Sequence, residues 1–268
     1  MLDVPYLIPL AIWISISSLD DLMLDLACLY FWITARLRGR NRVPTPTQAD
    51  LQRTPHRRIA IFVPLWHEAH VIRKMVEHNL ASTRYDRYDF FVGAYPNDEP
   101  TLQAVRDVEA RLGPVHLCVV PHDGPTSKAD CLNWIYQRML LFESAHAVQF
   151  DIVLIHDAED LIHPEALLWL NFYSQTYDMV QIPVLPLPTS MAEFTHGVYC
   201  DEFAEFQRKD LPARQILGGF VPSCGVGTGF SRAALAKLAA AYDNCIFEPK
   251  CLTEDYEIGF RLHKLGCK

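Results

Sequence analysis

Acidic side chains are concentrated at one point of the sequence, directly after a short apolar run. Asp157, Glu159 and Asp160 lie in the segment HDAED, which follows the run IVLI. Carboxylates this close together repel one another unless a cation lies between them. Hard divalent cations prefer oxygen ligands and often bridge a protein carboxylate to a substrate phosphate. The cluster therefore predicts a site for Mg²⁺ or Mn²⁺; the alternative is that these acids only stabilise the N-terminus of the next helix.

Aromatic, acidic and basic side chains follow three other apolar runs. Trp66 and Glu68 lie in the segment PLWHE, and Asp98 ends the segment YPND. An aromatic ring near carboxylates can hold a nucleoside, because the ring stacks on the base and the carboxylates accept hydrogen bonds from its polar groups. Alternatively, Trp66 belongs to the core and Asp98 caps a helix. Lys128 opens a predicted helix, where its ammonium group could meet a phosphate or could simply be solvated.

A glycine-rich segment lies late in the chain, where residues 218–229 contain five glycines. The spacing of Gly225, Gly227 and Gly229 is not that of a dinucleotide-binding motif. We therefore interpret the segment as backbone that passes close to a ligand.

A short acidic segment, Thr253-Glu254-Asp255, opens the last predicted helix. Thr253 is a suitable N-cap, and acidic side chains are stabilised in the first turn of a helix. Taken alone, this segment needs no explanation beyond a helix start.

Short β-rich runs alternate with helical patterns over residues 58–268 and would position these side chains. The pattern predicts strands over residues 58–66, 89–96, 115–121, 151–157 and 179–186, and helices over residues 68–82, 99–113, 127–144 and 163–177. Near-continuous apolar strands separated by helices indicate a mainly parallel α/β sheet covered on both faces. Ligands of such sheets bind just beyond the carboxyl ends of the strands, where the candidate side chains lie.

The first 42 residues predict membrane attachment. Sixteen uncharged residues, Val4 to Leu19, precede a second apolar stretch over residues 22–35, which only Asp25 interrupts. Because a spanning helix needs about 20 apolar residues, we expect a short span near residues 4–20 followed by an interfacial helix. The alternative is a buried hairpin of two helices. Four trailing arginines, of which Arg36 is the first, place the rest of the chain on the cytoplasmic side.

Residues 43–57 contain three prolines and predict a linker.

The composition excludes several classes of protein. Of 268 residues, 50% are hydrophobic, which excludes a disordered chain. The formal charge of −8 offers no net attraction to nucleic acid, so no nucleic-acid partner is expected. The eight cysteines contain no C-x-x-C pair, and reduced thiols are the expected state.

Together, and in this order, the segments resemble processive-type family 2 glycosyltransferases of the GT-A fold, a Rossmann-like α/β architecture. The resemblance covers residues 58–268 and rests on six segments: VPLWHE, YPND, SKADCLN, HDAED, GVGTGFSR and TED. The amino-terminal segment SSLDDLMLDLACLYFW is most similar to bacterial inner-membrane members of the bacteriophage adsorption protein B type.

The resemblance implies a role for each candidate residue. Asp255, with Glu254 in the same motif, would be catalytic, and Asp157 and Glu159 would bind the metal ion. The residues that would bind the donor are Pro64, Trp66, Glu68, Asp98, Lys128 and Asp157. The residues that would form the acceptor side are Gly225, Gly227, Thr228 and Gly229. The sequence departs from the family pattern at His67, Trp66 and Glu159, where Asn, Tyr and Asp are usual. The Q-x-x-R-W segment is absent, and we expect the chain to stop before it.

The implied reaction is inverting transfer of a sugar from a UDP-sugar to a glycan or lipid-linked acceptor. It would be metal-assisted and would take place at the cytoplasmic face of a bacterial inner membrane, with membrane lipid and an envelope protein as further partners. Two alternatives stay open. A sugar-phosphate nucleotidyltransferase would usually carry a glycine-rich basic loop where this chain reads PLWHEAH. A catalytically incomplete membrane scaffold or receptor subunit could retain the same nucleotide-binding fold.

Overall fold

The computed structural model describes residues 4–38, 45–190 and 192–268. In the first helix, the side chains of residues 7–37 are described. The chain forms two compact units. One contains residues up to Thr45 together with Pro183–Val221, and the other contains Pro46–Ile182 together with Pro222–Lys268. Sequence analysis predicted a single domain over residues 58–268 and did not anticipate that Pro183–Val221 would group with the amino-terminal segment.

The larger unit is built on a six-stranded sheet. Its strands are β1 (Ile59–Pro64), β2 (Tyr88–Ala94), β3 (Val115–Val119), β4 (Ile152–Ile155), β5 (Met179–Gln181) and β6 (Thr228–Ser231). They lie in the order β3-β2-β1-β4-β6-β5. The first four strands pair in parallel, whereas β6 is antiparallel to both β4 and β5. The carboxyl ends of β1 to β4 therefore meet at one edge of the sheet.

Helices cover both faces of this sheet. The α-helices of the described residues are α1 (Val4–Arg38), α2 (Gln48–Arg53), α3 (Ile72–Ser82), α4 (Glu99–Glu109), α5 (Lys128–His146), α6 (Ala166–Tyr173), α7 (Phe194–Glu205), α8 (Leu211–Leu217), α9 (Arg232–Ala241) and α10 (Glu254–Lys264). Apolar side chains of α5, α9 and α10 share one buried cluster with the sheet, and those of α2, α3, α4 and α6 share a second. The predicted mainly parallel α/β fold with helices on both faces is confirmed.

The fifth strand and its neighbour differ from the prediction. We predicted a strand over residues 179–186, but β5 ends at Gln181, and Pro183 and Pro186 follow. Proline has no N–H group to donate to a neighbouring strand, which explains the early end. The strand beside β4 is instead β6, which comes from the glycine-rich segment and was not predicted.

The segment predicted to be a linker contains ordered structure. Within residues 43–57, α2 begins with a reciprocal capping box, in which the Thr47 side chain accepts from the Asp50 N–H and the Asp50 side chain accepts from the Thr47 N–H. Leu51 of this helix is fully buried in the core of the larger unit. The three prolines had suggested loop structure, but local capping and one buried leucine are enough to order a turn and a half of helix.

The smaller unit contains one long apolar helix. Helix α1 runs without interruption, so the structure does not show the predicted break after a short span. Within the described residues it is the single helix that is long and apolar enough to cross a membrane, over Leu7–Leu37 with a mean hydropathy of 1.6. None of its apolar window is buried, which contradicts the alternative of a buried two-helix hairpin. Asp25 of this helix forms an ion pair with Lys209, in which Lys209 Nζ lies 2.9 Å from Asp25 Oδ1. Lys209 belongs to a π-helical turn between α7 and α8.

Candidate active site

An aromatic pocket lies at the carboxyl ends of β1 and β2. The rings of Trp66 and Tyr95 meet edge to face, with centroids 5.4 Å apart. They line an open cavity of about 190 Å³ together with residues from the end of β1 and the start of α5: Pro64, Leu65, Pro125, Thr126, Ser127, Lys128 and Cys131. Three of the predicted donor-binding residues, Pro64, Trp66 and Lys128, thus line one cavity.

The loop after β3 closes one side of this pocket. Asn97 and Gly124 exchange two hydrogen bonds, at 2.7 Å from Asn97 Nδ2 to the Gly124 oxygen and 2.8 Å from the Gly124 N–H to Asn97 Oδ1. The Tyr95 hydroxyl lies 2.6 Å from the Thr126 hydroxyl. Burial raises the pKa of Tyr95 to about 12, so its hydroxyl stays protonated and can donate throughout the neutral range.

Gly124 is a specific requirement of this pocket. A Cβ atom at this position would lie 2.6 Å from Trp66 Cζ3 and 2.8 Å from Tyr95 Cγ, closer than side chains can approach. We expect Gly124→Ala to destabilise the fold by about 1–3 kcal/mol, the usual cost of overpacking. Denaturant unfolding measures this difference. Gly113→Ala is the matched control, because nothing lies within 4 Å of a Cβ there; equal stability of the two variants would contradict the packing described.

Asp98 supports the loop that follows β1. Its carboxylate is 1% exposed, and Oδ2 accepts a hydrogen bond from the His67 backbone N–H at 2.7 Å. His67 adopts a left-handed conformation with φ of 61°, and its ring packs on Trp66 with centroids 4.1 Å apart. Burial on its own raises the pKa of the Asp98 carboxyl, but interactions with Thr101 and the His67 N–H outweigh it and hold that pKa below its usual range. Asp98 therefore remains ionised and fixes the backbone beside Trp66.

Glu68 is held at the same corner through its backbone. Its N–H donates to the Thr101 hydroxyl at 3.1 Å, while its side chain is half-buried. Asp98 and Glu68 were both predicted to bind a donor; the structure places both at the loop that follows β1, next to Trp66, but not among the residues that line the cavity.

Lys128 and Asp157 form an ion pair between the start of α5 and the end of β4. Lys128 Nζ donates to Asp157 Oδ1, and both side chains are about one-third exposed, at 33% and 35%. Lys128 is the first residue of α5, where the helix dipole disfavours a positive charge. The Asp157 carboxylate offsets this unfavourable position.

The acidic cluster divides into structural and accessible members. Asp160 Oδ2 accepts from the Asp157 backbone N–H at 2.7 Å and lies 3.0 Å from His156 Nδ1, so Asp160 closes the turn. Glu159 is exposed, and Asp157 remains accessible beside Lys128.

The oxygen donors of Asp157 and Glu159 fit a Mg²⁺ or Mn²⁺ ion. Among the described residues no group of three or more His, Cys, Asp or Glu side chains is arranged to hold a metal ion. Mg²⁺ is commonly held by only one or two carboxylates and completed by substrate phosphates and water. Two accessible carboxylates are therefore a sufficient protein contribution when phosphates supply the rest.

The glycine loop, residues 223–227, touches both Asp255 and the end of β4. Gly225 has φ of +75°, and a Cβ atom there would lie 3.3 Å from Asp255 Oδ2. The Gly227 N–H donates to the Ile155 oxygen at 2.9 Å, two residues before Asp157. The loop thus lies against the predicted catalytic side chain and is hydrogen-bonded to the last residue of the strand that leads to Asp157.

Two predicted acceptor-side residues lie below that loop. Thr228 and Gly229 belong to β6 and are buried. A Cβ at Gly229 would lie 2.3 Å from Leu170 Cδ1, so the absence of a side chain there is required by the packing of α6 on the sheet.

The helix start at Thr253 differs from the prediction. Its side chain makes no capping hydrogen bond to α10; instead Glu254 and Asp255 occupy the first turn, and Asp255 Oδ1 accepts from the Tyr256 N–H at 2.8 Å. A purely structural explanation of this segment is therefore weaker than the sequence suggested, because the expected cap is not formed.

Sequence analysis missed Gln181, the last residue of β5. Its side-chain amide hydrogen-bonds to the glycine loop at Cys224 and Val226. The sequence signal for Gln181 is a polar amide side chain within the apolar run MVQIPV, where the pattern predicts an ordinary strand.

Comparison with known proteins decides the family. A profile of the family described as "Glycosyltransferase like family 2" matches residues 55–268. The chain belongs to this family. The predicted resemblance to family 2 glycosyltransferases is confirmed, and so is the prediction of a glycosyltransferase domain.

Two bacterial relatives of this glycosyltransferase are similar over nearly its whole length. It is 42% identical over 259 residues to "Bacteriophage adsorption protein B" of Escherichia coli strain K12 and to "Bacteriophage N4 adsorption protein B" of Escherichia coli O157:H7. Each match covers 97% of this chain and 35% of the relative, so the chain spans about a third of the length of these proteins. The predicted similarity to the adsorption protein B type is confirmed.

A solved glycosyltransferase shares the fold. The mannosyltransferase PcManGT from Pyrobaculum calidifontis, solved in complex with GDP-Man and Mn²⁺, superposes with a TM-score of 0.55 at 18% sequence identity. The match covers 90% of this chain and 61% of that one. At this identity the likeness supports the GT-A architecture.

Proposed function

We propose that this family 2 glycosyltransferase transfers a sugar from a UDP-sugar to a glycan or lipid-linked acceptor, with inversion at the transferred carbon. The observation that carries the proposal is the glycine loop, which contacts the Asp255 carboxylate through Gly225 and the end of β4 through Gly227. In-line displacement requires the general base and the leaving diphosphate to face each other across the transferred carbon, and this loop contacts the proposed base and the strand that leads to the proposed diphosphate site.

The donor nucleotide binds in the aromatic pocket. Trp66 provides an apolar face for the base, and the His67 backbone, which Asp98 fixes, sets the orientation of that ring. Lys128 turns from Asp157 towards the diphosphate and offsets its negative charge. Glu68, at the same corner, accepts hydrogen bonds from the nucleoside.

Asp157 and Glu159 would hold a Mg²⁺ or Mn²⁺ ion. Such an ion, when bound, would supply positive charge against the negative charge that the leaving diphosphate gains in the transition state. A fold relative solved with GDP-Man and Mn²⁺ supports a nucleotide sugar and a divalent cation on this architecture.

Asp255 removes the proton from the attacking acceptor hydroxyl. Its Oδ1 is occupied by the Tyr256 N–H, and Oδ2 lies against the Gly225 backbone. Because Gly225 has no side chain, an acceptor hydroxyl can approach the carboxylate across the loop. Glu254 precedes the base in the first turn of α10 and contributes negative charge beside the acceptor.

Helix α1 anchors the protein in the bacterial inner membrane, with the catalytic unit on the cytoplasmic side, where lipid-linked acceptors are within reach. We expect the intact chain to require detergent for extraction, whereas a chain starting at Thr45 should fractionate with soluble protein, because it lacks the apolar stretch of Leu7–Leu37. Ultracentrifugation of cell lysates measures this. Equal distribution of the two chains between pellet and supernatant would refute α1 as the anchor.

The reaction is tested by release of UDP. Membranes carrying the intact protein are supplied with UDP-glucose, UDP-galactose or UDP-N-acetylglucosamine and with Mg²⁺ or Mn²⁺, and UDP is measured against membranes without the protein. We expect turnover of at least one donor. Nucleotide binding without turnover of any UDP-sugar or GDP-sugar would favour the scaffold alternative.

A further inference from the structure

The side chain of Gln181 joins β5 to the glycine loop through all of its polar atoms. Oε1 accepts hydrogen bonds from the Cys224 N–H at 2.9 Å and from the Thr228 hydroxyl at 2.6 Å. Nε2 donates to the backbone oxygens of Val226 and Ile182, each at 2.9 Å. A glutamine amide offers two donor hydrogens and an oxygen with two lone pairs, so this side chain is fully used.

A chain of hydroxyl groups connects Gln181 to Gly225. The Gly225 N–H donates to Ser223 Oγ at 3.3 Å, and Ser223 Oγ lies 3.0 Å from Thr228 Oγ1, which donates to Gln181. Ser223 is 3% exposed and Thr228 is fully buried. Since each hydroxyl both accepts and donates, the network has one consistent direction, and removing a member leaves buried polar groups unpaired.

We infer that Gln181 is a positioning residue for the proposed base. By holding both sides of the glycine loop, it fixes the Gly225 backbone against Asp255 Oδ2. The inference rests on the proposed function, to which it adds a residue that touches no substrate. Its role is to set the gap through which the acceptor hydroxyl reaches Asp255.

Gln181→Glu tests this with almost no change in volume. The carboxylate keeps one oxygen for Cys224 and Thr228, but it turns the other towards the Val226 and Ile182 oxygens, where a donor is required. We expect turnover of the UDP-sugar to fall about 10²-fold, the effect of a misplacement of about 1 Å. We expect affinity for UDP to be unchanged, because the four hydrogen-bond partners of Gln181 among the described residues lie outside the lining of the aromatic pocket. Amide hydrogen exchange over residues 223–228 should become about tenfold faster, as expected for the loss of roughly one to two hydrogen bonds.

Gln175→Glu is the matched control, because Gln175 is exposed after α6 and lies outside the site. The control should keep wild-type turnover, UDP affinity and exchange. Wild-type turnover and exchange in Gln181→Glu, with turnover abolished in Asp255→Asn, would overturn the inference and leave the proposed function standing. Parallel loss of UDP affinity and melting temperature would also overturn it, because Gln181 would then support the whole fold. Absence of turnover in the wild-type protein would remove the proposed function and this role with it.

Discussion

Replacement of Asp255 by asparagine is expected to lower UDP-sugar turnover by about 10²–10⁴-fold, the contribution of a well-placed general base. Asparagine keeps the shape of the side chain and its acceptor for the Tyr256 N–H, but it cannot take up the proton of the acceptor hydroxyl. The melting temperature should change little, because the lost charge at the helix start is worth about 0.3–1 kcal/mol. Affinity for UDP should stay near that of the wild-type protein.

Glu254→Gln is the control for this prediction. The Glu254 side chain lies about 100° from that of Asp255 around the axis of α10, so it does not face Gly225. The substitution therefore removes one negative charge from the same turn without changing the proposed base. We expect a milder loss of turnover than in Asp255→Asn. Near-normal transfer by the Asp255→Asn protein would remove the catalytic assignment and leave only a nucleotide-binding fold.

Replacement of Asp157 by asparagine is expected to lower turnover by about 10²–10³-fold, since metal stabilisation of the leaving charge is worth several kcal/mol. The variant loses the proposed metal ligand and the ion-pair partner of Lys128. The fold should be retained, because a partly exposed ion pair contributes only about 0–1 kcal/mol to stability. Added Mn²⁺ should restore turnover only at concentrations far above those that saturate the wild-type protein.

The matched control is Asp201→Asn on the exposed surface of α7, which removes one carboxylate from the smaller unit. Its turnover and its requirement for Mn²⁺ should equal those of the wild-type protein. An Asp157→Asn protein with an unchanged metal requirement would show that the ion is held elsewhere.

The buried strands could be predicted because their patterns are unambiguous. The strands β1 and β4 are continuous runs of apolar residues, and β2 and β3 are each interrupted by a single ionisable residue, Asp89 and His116. The predicted ranges overlap the observed strands to within three residues. By contrast, β6 has the sequence TGFS, which shows no apolar run, and its Gly229 is required by the tertiary contact with Leu170. A requirement of that kind is invisible in the local sequence.

The site could be predicted as a set of residues but not as a set of contacts. The order of the segments placed Trp66, Lys128 and Asp157 near one another, because parallel strands end at the same edge. His67, which has a left-handed conformation, donates its backbone N–H to Asp98, a residue that follows β2. The role of Gln181 depends on the glycine loop, which lies more than 40 residues later in the sequence. Both are tertiary effects that local patterns do not encode.

The aromatic pocket and the carboxylates of Asp157 and Glu159 are proposed to bind a nucleoside diphosphate together with a divalent cation. Isothermal titration calorimetry of the intact protein in detergent tests this most directly. The affinity for UDP is measured once with Mn²⁺ and once with excess chelator, and GDP is titrated as the competing nucleotide. We predict binding of UDP that is at least about tenfold tighter with Mn²⁺, because a cation held by Asp157 and Glu159 would offset the charge of the phosphates. Equal affinity in the two buffers, or no binding in either, would contradict the account.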